Sequence, residues 1–598
     1  MRLYRRVPGF VLSVASLAAG MLAASGFGLV AIWSVALVAG IVALSRWLSI
    51  SLALAASVGA FFSIELLLLL VTPMLGAGMT LPHVVLWGSL AVGIGTSLTV
   101  RPAPPALNRS GSLLALASSA GAIVLLVCLA IAQFISGGQR LAWAMNGDTV
   151  NAMAFARRML VDGGINQAST PQPTPLPFAM SAANMEGGRG GAASLLLQHD
   201  VARTAQVWVF VIVLSCLLVG VILARVAHTA PLRWAVPVVA LSTTVMLSWY
   251  AVGLQFDFGF MNSAFAVTLL LAAWLVYAAG EARPALLLLT LFTIALALLS
   301  VWSPLVVCVA GLGIVTVVRE RRALAASRPI AIIGTYLAAS VFLAYAALVT
   351  VPFFLLSSSA LGSNGGFPPV GPGSIFVITA LVLIASAGAV QTGAAHTAVG
   401  VIAVVTGFGL GLGYLILQRQ EAAFHWGYYP AKFAWTTSIL LMVILMSVAV
   451  HLLQAVEWKP ARRAVTTVLV AGLVVSLLWG PVAPASQAPL AGLVKDSSSE
   501  TVAKIVFDLV GTENGKDFLW RSTIGDYWVN TWLLQIDQPD GDPLKTYATF
   551  AMLEPAQVCE LVAGLGDGVV IHTSDPAADF DLRAACPAAQ FTIVHGEF

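Results

Sequence analysis

The sequence predicts an all-α polytopic membrane protein with about 15 transmembrane helices and a small extracytoplasmic α/β domain at its C-terminus. Only 9% of the 598 residues are charged and 59% are hydrophobic, whereas a soluble chain carries roughly 25% charged residues. Apolar runs of about 20 residues, the length of a bilayer-spanning helix, recur along most of the chain. The part that begins at Leu490 holds 16 acidic and 6 basic residues, which indicates a water-soluble segment.

The predicted spans lie in a membrane domain of residues 1–485, and residues 486–598 form the soluble domain. We expect each span to be a helix, because a backbone inside lipid must satisfy its own hydrogen bonds. The predicted segments are 7–24, 29–44, 48–71, 84–100, 113–134, 207–224, 235–252, 264–279, 285–300, 305–318, 330–351, 375–390, 399–417, 437–453 and 465–478.

The distribution of basic residues predicts the orientation. With the N-terminus in the cytoplasm, 16 of the 29 lysines and arginines fall in short inner loops and only 7 in outer loops. Cytoplasmic loops of membrane proteins carry such an excess. We therefore expect a multi-pass plasma-membrane protein, and an odd number of spans puts the acidic domain outside the cell.

The soluble domain shows a strand–helix–strand pattern. "YATFAML", "GVVIHTS" and "QFTIVHG" are typical of strands, and "EPAQVCELVAGLG" of a helix. A disulfide between Cys559 and Cys586 is expected, because they are the only cysteines of a domain in an oxidising compartment. His572 and Asp575 follow a strand, and we expect solvated surface groups there rather than ligands.

Nucleotide, zinc and nucleic-acid binding receive no support from the sequence. The glycine-rich phosphate loops, C-x-x-C and H-E-x-x-H are missing, and no basic face with interleaved aromatic residues suggests nucleic acid. We therefore predict no certain cofactor. A divalent metal is compatible with the sequence, but no motif signals one.

The long outer loop of residues 136–206 contains "NGDTVNAMAFARRML". Residues 149–161 have apolar side chains at helical spacing and predict a helix that lies on the membrane face. Asp148 precedes it, either as its N-cap or as a carboxylate held at the membrane edge for chemistry. Arg157 and Arg158 either face lipid phosphates and water or hold the phosphate of a lipid-linked substrate.

Two further outer loops carry functional groups. In "LQFDFGFMNS", Asp257 is either a solvated acid in an aromatic belt or a second carboxylate at the same rim. The loop "QRQEAAFHWGYYPAKFAW" combines aromatic, hydroxyl and cationic groups, which either form an interfacial belt or bind a sugar and a phosphate. Its candidate binding residues are His425, Trp426, Tyr428, Tyr429 and Lys432.

One acid falls inside a predicted span. Glu65, in "FFSIELLLLL", is costly to bury as a charge, so it is expected to face a partner or a cavity. It is either a structural group or a proton relay in a transporter.

The acid-bearing first outer loop "NGDTVNAMAFARRML" and the later loop "GYYPAKFAW" resemble those of GT-C glycosyltransferases, in particular large actinobacterial membrane proteins of wall-polysaccharide synthesis. The resemblance implies transfer of a sugar from a polyprenyl-phosphate donor to an envelope glycan or lipid acceptor. It implies that Asp148 is the general base, that Arg157, Arg158 or Lys432 holds the phosphate, and that Trp426, Tyr428 and Tyr429 contact sugars.

Two other functions remain open from the sequence. The first is a transporter or flippase for a lipid-linked saccharide, for which Glu65 would relay protons. The second is a non-catalytic envelope assembly protein. Convergence of Asp148, Asp257 and the loop from Tyr428 to Lys432 on one pocket would favour the enzyme.

Overall fold

The computed structural model describes most of the membrane body and two parts of the C-terminal domain. The described residues are 7–100, 109–136, 142–190, 193–248, 253, 255, 258–280, 283–356, 360–362, 371–422, 424–455, 502–506, 509, 516–522, 526–537 and 554–596.

The body is built from α-helices joined by short connections. They are α1 (Val7–Ala24), α2 (Val30–Leu44), α3 (Ile50–Leu75), α4 (Thr80–Val100), α5 (Arg109–Ser118), α6 (Ala120–Ser136), α7 (Thr149–Val161), α8 (Pro175–Glu186), α9 (Ala193–Ala227), α10 (Leu232–Thr243), α11 (Val245–Ser248), α12 (Met261–Ala279), α13 (Pro284–Trp302), α14 (Val306–Ala325), α15 (Pro329–Tyr345), α16 (Val351–Leu356), α17 (Pro372–Gln391), α18 (Ala395–Leu417) and α19 (Tyr428–Ala455).

The chain is a multi-pass membrane protein. Within the described residues, nine helical segments are long and apolar enough to cross a bilayer, or ten if α5 and α6, bent by 47°, form one span. The predicted number of about 15 is not reproduced. Three of the predicted spans correspond to shorter apolar helices, in residues 9–24, 30–44 and 232–247. Two predicted spans fall within one continuous helical segment of residues 284–325. The predicted span 465–478 lies outside the described residues.

The core of the body surrounds α12, of which 89% of the spanning window is buried. Helices α3, α9 and α13 pack around it. By contrast, only 6% of the spanning window in residues 329–356, which cover α15 and α16, is buried. This segment therefore faces the surrounding lipid on most of its surface.

One end of the bundle, here called the basic end, gathers arginines from several predicted inner loops. Arg46 donates to Ser97, and Arg283 donates to the Trp47 carbonyl at 2.7 Å. Arg225 donates to the Ala278 carbonyl at 3.1 Å. These hydrogen bonds connect the ends of different helices. The loops predicted for the cytoplasmic side of the membrane are therefore found together at one end of the helix bundle.

At the opposite end of the bundle, here called the Asp148 end, α7 and α8 pack on the ends of the spanning helices. Helix α7 matches the predicted surface helix of residues 149–161. Arg157 of α7 is 1% exposed and Glu186 of α8 accepts from the Met79 backbone at 2.9 Å. These two helices are therefore anchored into the body.

The C-terminal domain contains a parallel sheet in the order β1 (Asp517–Leu519), β2 (Val569–Thr573), β3 (Phe591–His595). Its helices are α20 (Asp526–Asp537), α21 (Pro555–Leu565) and α22 (Ala578–Ala585). The predicted strand–helix–strand pattern of residues 555–595 is confirmed. The predicted strand "YATFAML" lies outside the described residues.

Two further predictions for this domain have different outcomes. The disulfide between Cys559 and Cys586 is confirmed, with a Cα–Cα distance of 5.6 Å. The prediction of a solvated His572 is wrong. Its ring is 5% exposed and its Nε2 lies 2.8 Å from Oδ1 of Asp517, because the neighbouring strand supplies a buried partner. Asp575 is partly exposed and pairs with Arg521 at 2.8 Å.

The C-terminal domain contacts the body at the Asp148 end. Val529, Trp532 and Leu533 of α20 belong to the same hydrophobic core cluster as the membrane helices. The Trp532 indole donates to the Met145 carbonyl at 3.1 Å. The domain therefore supports the chain segment that leads into Asp148.

Candidate active site at the Asp148 end

Two loops hold the backbone of Asp148 in place. Its N–H donates to the Phe258 carbonyl at 2.8 Å. Gly147 has φ +48° and Gly259 has φ +68°, and a Cβ on either would lie within 2.4 Å of the opposite loop's backbone. Only glycine permits both this conformation and this close approach. The position of the carboxylate is therefore set by two interlocked loops.

The Asp148 side chain is not used as a helix cap. Asp148 precedes α7, but its carboxylate accepts no capping hydrogen bond from the helix. It instead accepts a hydrogen bond of 3.3 Å from the Tyr428 hydroxyl, which accepts one of 3.1 Å from Nζ of Lys432. An ammonium can only donate, so Lys432 orients the Tyr428 hydroxyl proton toward Asp148.

Lys432 is buried among aromatic rings. Lys432 is 4% exposed. Its Nζ lies 3.8 Å from the ring centroid of Phe260 and 5.8 Å from that of Trp302. Ring faces attract cations. Together with Asp148 they compensate the loss of hydration of the ammonium.

Burial raises the pKa of the Asp148 carboxyl above its ordinary value, while the Lys432 charge and hydrogen bonds from Tyr428 and Asn151 oppose this with smaller effects. Desolvation disfavours the charged form of an acid. Asp148 is therefore a stronger proton acceptor, once ionised, than a solvated aspartate.

Asp148 opens onto a cavity of about 190 Å³ between the surface helices and the tops of α12, α13 and α19. Its lining combines polar and aromatic side chains. The polar lining residues are Asp148, Asn151, Gln172, Thr174, Asn262, Ser303, Tyr428, Tyr429 and Lys432, and the aromatic ones include Phe155, Phe178, Phe260, Trp302, Phe353 and Phe354. Such a combination suits a group with hydroxyls on its edges and an apolar ring face.

One wall of the cavity lies next to the lipid. Phe353 and Phe354 belong to α16, whose next residues Leu355 and Leu356 are 74% and 88% exposed. Helix α16 therefore carries both rings that line the cavity and apolar side chains that are exposed on the outside of the body.

The two arginines of α7 do not reach the cavity. Arg157 is 1% exposed and pairs with the buried Asp200 at 2.8 Å. The structure thus does not bring Arg157 together with Asp148 at the cavity, and a buried carboxylate compensates its charge. Arg158 is 40% exposed, lies 3.9 Å from Asp162 and does not line the cavity either.

The candidate binding residues from the other two outer loops fall into two groups, those that line the cavity and those that do not. Tyr428, Tyr429 and Lys432 line the cavity, whereas His425 and Trp426 do not. The His425 Nδ1 lies 3.1 Å from the Arg419 carbonyl, and the ring is exposed. Asp257 lies outside the described residues, but Gly259 and Phe260 from its loop line the cavity.

Several lining residues were not predicted. Asn151 was within reach of sequence reasoning, because it lies one helical turn after Asp148. Phe155 and Phe178 stack with ring centroids 5.7 Å apart, and they come from different surface helices. Trp302 and Phe353 come from helix ends distant in the chain, and no spacing in the sequence connects them to Asp148.

A second cluster near the site was also unpredicted. Asp200 of α9 is fully buried and pairs with Arg157, Arg189 at 3.2 Å and His199 at 3.2 Å. These contacts join α7, the end of α8 and α9. The cluster therefore holds the surface helices that carry one side of the cavity.

In the part of the chain that the structure describes, no group of three or more His, Cys, Asp or Glu side chains is placed to hold a metal ion. The described lining of the cavity contributes one carboxylate, Asp148. Comparison with models of known protein families finds no match, and a search of curated proteins finds no significant relative.

Proposed function

We propose that this protein is a GT-C-type membrane glycosyltransferase that moves a sugar from a polyprenyl-phosphate donor to an envelope glycan or lipid acceptor. The observation that carries the proposal is the convergence of the Asp148 carboxylate, the Tyr428 hydroxyl and the Lys432 ammonium on one partly aromatic cavity. The lipid-facing helix α16 beside it supports a substrate with a hydrocarbon tail.

The chemistry assigns one role to each group. Asp148 takes the proton from an acceptor hydroxyl, whose oxygen attacks the anomeric carbon of the donor sugar. The bond from that carbon to the phosphate oxygen breaks, and its electron pair leaves with the lipid phosphate. Lys432 provides positive charge for the departing phosphate, and the aromatic lining residues hold the sugar ring.

The proposed location is the outer face of the plasma membrane, with a cytoplasmic N-terminus. The excess of basic residues in one set of loops supports this orientation. The C-terminal domain, with its disulfide, contacts the Asp148 end. Disulfides persist in oxidising compartments, which favours the same side for the cavity.

Glu65 gives little support to the transporter alternative. It is fully buried, and its two oxygens bond to the His83 ring at 2.8 Å and the Trp87 indole at 2.7 Å. Glu65 does not line the cavity at the Asp148 end. A structural role accounts for these contacts.

The test is sugar transfer by purified protein from a panel of defined polyprenyl-phospho-sugars to envelope glycan fragments. We expect transfer by the wild type and its loss in Asp148→Asn. Asp162→Asn is the matched control, because Asp162 ends the same helix and bonds to Ser169 and Thr170 away from the cavity. Equal transfer by wild type and Asp148→Asn would remove Asp148 from the base role. No transfer with any donor would count against the enzyme class.

A further inference from the structure

Helices α14 and α15 are neighbours in the chain but do not pack along each other. Helix α15 packs on α13 instead. The resulting gap is a groove of about 340 Å³, and its lining is apolar throughout. The lining comes from α13 (Leu288, Leu291, Phe292, Ala295), α14 (Val306, Val309, Ala310, Gly313, Ile314, Val317, Val318) and Phe342 of α15.

The groove has the properties of a hydrocarbon site. Ile314 and Val318 are 63% and 66% exposed, so the groove opens to the surrounding lipid. Its lining on α14 runs from Val306 to Val318, a rise of about 18 Å. One leaflet of a bilayer core is about 15 Å thick. The groove is therefore long enough for one acyl chain.

Cationic side chains lie beyond the end of the groove lining on α14. Arg321 and Arg322 are exposed and come within four residues after Val318, the last lining residue of α14, and Arg328 is exposed in the connection to α15. Helix α14 bends at the half-buried Glu320, which contributes one opposing charge.

Arg319 adds positive charge at the same place, although its guanidinium contacts the His396 ring at 2.7 Å. Arginine binds phosphate with two parallel donors. An anionic headgroup at the bilayer surface would therefore meet several arginines directly below an open apolar groove.

We propose that the groove between α14 and α15 binds an anionic phospholipid from the leaflet at the basic end. One acyl chain lies between the helices, and Arg321, Arg322 and Arg328 contact the phosphate of the headgroup. The arginines that would contact the headgroup are at the opposite end of the bundle from Asp148, and the existence of the site does not depend on the proposed transfer reaction.

The test is native mass spectrometry of the full-length protein released from vesicles of equal phosphatidylcholine and phosphatidylglycerol. We expect wild type to retain phosphatidylglycerol in preference to phosphatidylcholine. The triple variant Arg321→Gln, Arg322→Gln, Arg328→Gln should reduce retained phosphatidylglycerol by about tenfold or more, because each basic residue contributes to binding an anionic headgroup.

The groove itself is tested by Gly313→Leu. Gly313 lines the groove and a Cβ there has no neighbour within 4 Å, so the leucine should occupy part of the groove and also reduce retention. Gly409→Leu is the matched control, because Gly409 of α18 is equally open but does not line the groove. It should retain phosphatidylglycerol like the wild type.

Three results would overturn the proposal. One is the absence of a preference for phosphatidylglycerol in the wild type, and another is unchanged retention in the triple arginine variant. The third is equal retention by Gly313→Leu and Gly409→Leu. If Gly313→Leu lowered only transfer from a polyprenyl donor, the groove would hold the donor tail instead. Because retention is measured without turnover, failure here is distinct from failure of the proposed function.

Discussion

Glu65 and Asp148 are two buried acids of a mostly apolar chain, and their surroundings differ in one decisive respect. Each oxygen of Glu65 has a direct partner at 2.8 Å or less, and the side chain is sealed from solvent. Asp148 accepts a long hydrogen bond of 3.3 Å from Tyr428 and a further one from Asn151, and it opens onto a cavity.

The difference separates a structural acid from a reactive one. Both oxygens of Glu65 take part in short hydrogen bonds inside a site that is closed to solvent, so no substrate can reach the lone pairs that remain. Asp148 retains accessible acceptor capacity, and burial raises the pKa of its carboxyl. Groups with this combination of exposure to a cleft and perturbed pKa are characteristic of functional sites.

The largest expected effect is on turnover at Asp148. Asp148→Asn should lower the rate of sugar transfer by about a thousandfold, since general bases contribute about a hundred- to ten-thousandfold. Glu65→Gln should leave the rate per folded molecule near wild type. Single-turnover assays on size-selected protein measure the transfer rates of both variants. An equal loss of rate in the two would contradict the distinction between Glu65 and Asp148.

The second effect is on the free energy of unfolding, and here the substitution of Glu65 should have a larger effect than that of Asp148. Glu65→Leu leaves the His83 and Trp87 donors without their acceptor in a buried site, and should lower the free energy of unfolding by about 3 kcal/mol. Asp148→Leu should cost less, because Asp148 is only half-buried at a cavity, where water can replace it as the partner of Tyr428, Asn151 and the nearby Lys432 charge. Denaturant titration in mild detergent compares them. A larger loss for Asp148→Leu would contradict the structural assignment of Glu65.

A smaller effect is expected from the hydroxyl between Lys432 and Asp148. Tyr428→Phe keeps the ring that packs on Phe260 but removes the hydrogen bond to Asp148, and should lower the transfer rate by about tenfold. Tyr414→Phe, on the exposed side of α18, is the matched control. A normal rate for Tyr428→Phe would show that the hydroxyl does not orient Asp148.

The smallest effect is a shift in pH dependence. A base must be ionised, so transfer should fall as pH decreases through the pKa of Asp148, which burial places above the ordinary value. The Lys432 charge lowers this pKa, so Lys432→Met should move the acidic limb to higher pH. Lys432→Arg keeps the charge and should shift it less.

The pH–rate profiles of the wild type and these two variants measure this shift. An acidic limb that stays unchanged in Lys432→Met would mean that another group controls the profile. A shift of equal size in Lys432→Arg would mean that packing around the ammonium, rather than its charge, sets the pKa of Asp148.

The local pattern of apolar and polar residues made many helices of the membrane body predictable. Helix α1 spans the predicted residues 7–24, and α7 spans the predicted 149–161. A membrane helix is an apolar run and a surface helix is an apolar stripe, so each can be recognised within one stretch of sequence. The number of spans was less predictable, because short apolar helices and joined pairs look alike in composition.

The candidate site was predictable only in part. Tyr428, Tyr429 and Lys432 lie within five consecutive residues of the chain, so their shared position was visible in sequence. The burial of Arg157 against Asp200 was not visible in the sequence, because the two residues are 43 positions apart. Local composition could not indicate which of the charged residues in the outer loops would neutralise one another.

The sequence by itself determined that the chain is a membrane protein with a soluble acidic end, because hydrophobicity and charge are additive along the chain. Tertiary structure alone decided that Asp148 faces a cavity while Glu65 is enclosed. It also decided that Phe353 lines the same cavity as Asp148. The reason is that burial and hydrogen-bond partners come from residues far apart in sequence, and packing brings them together.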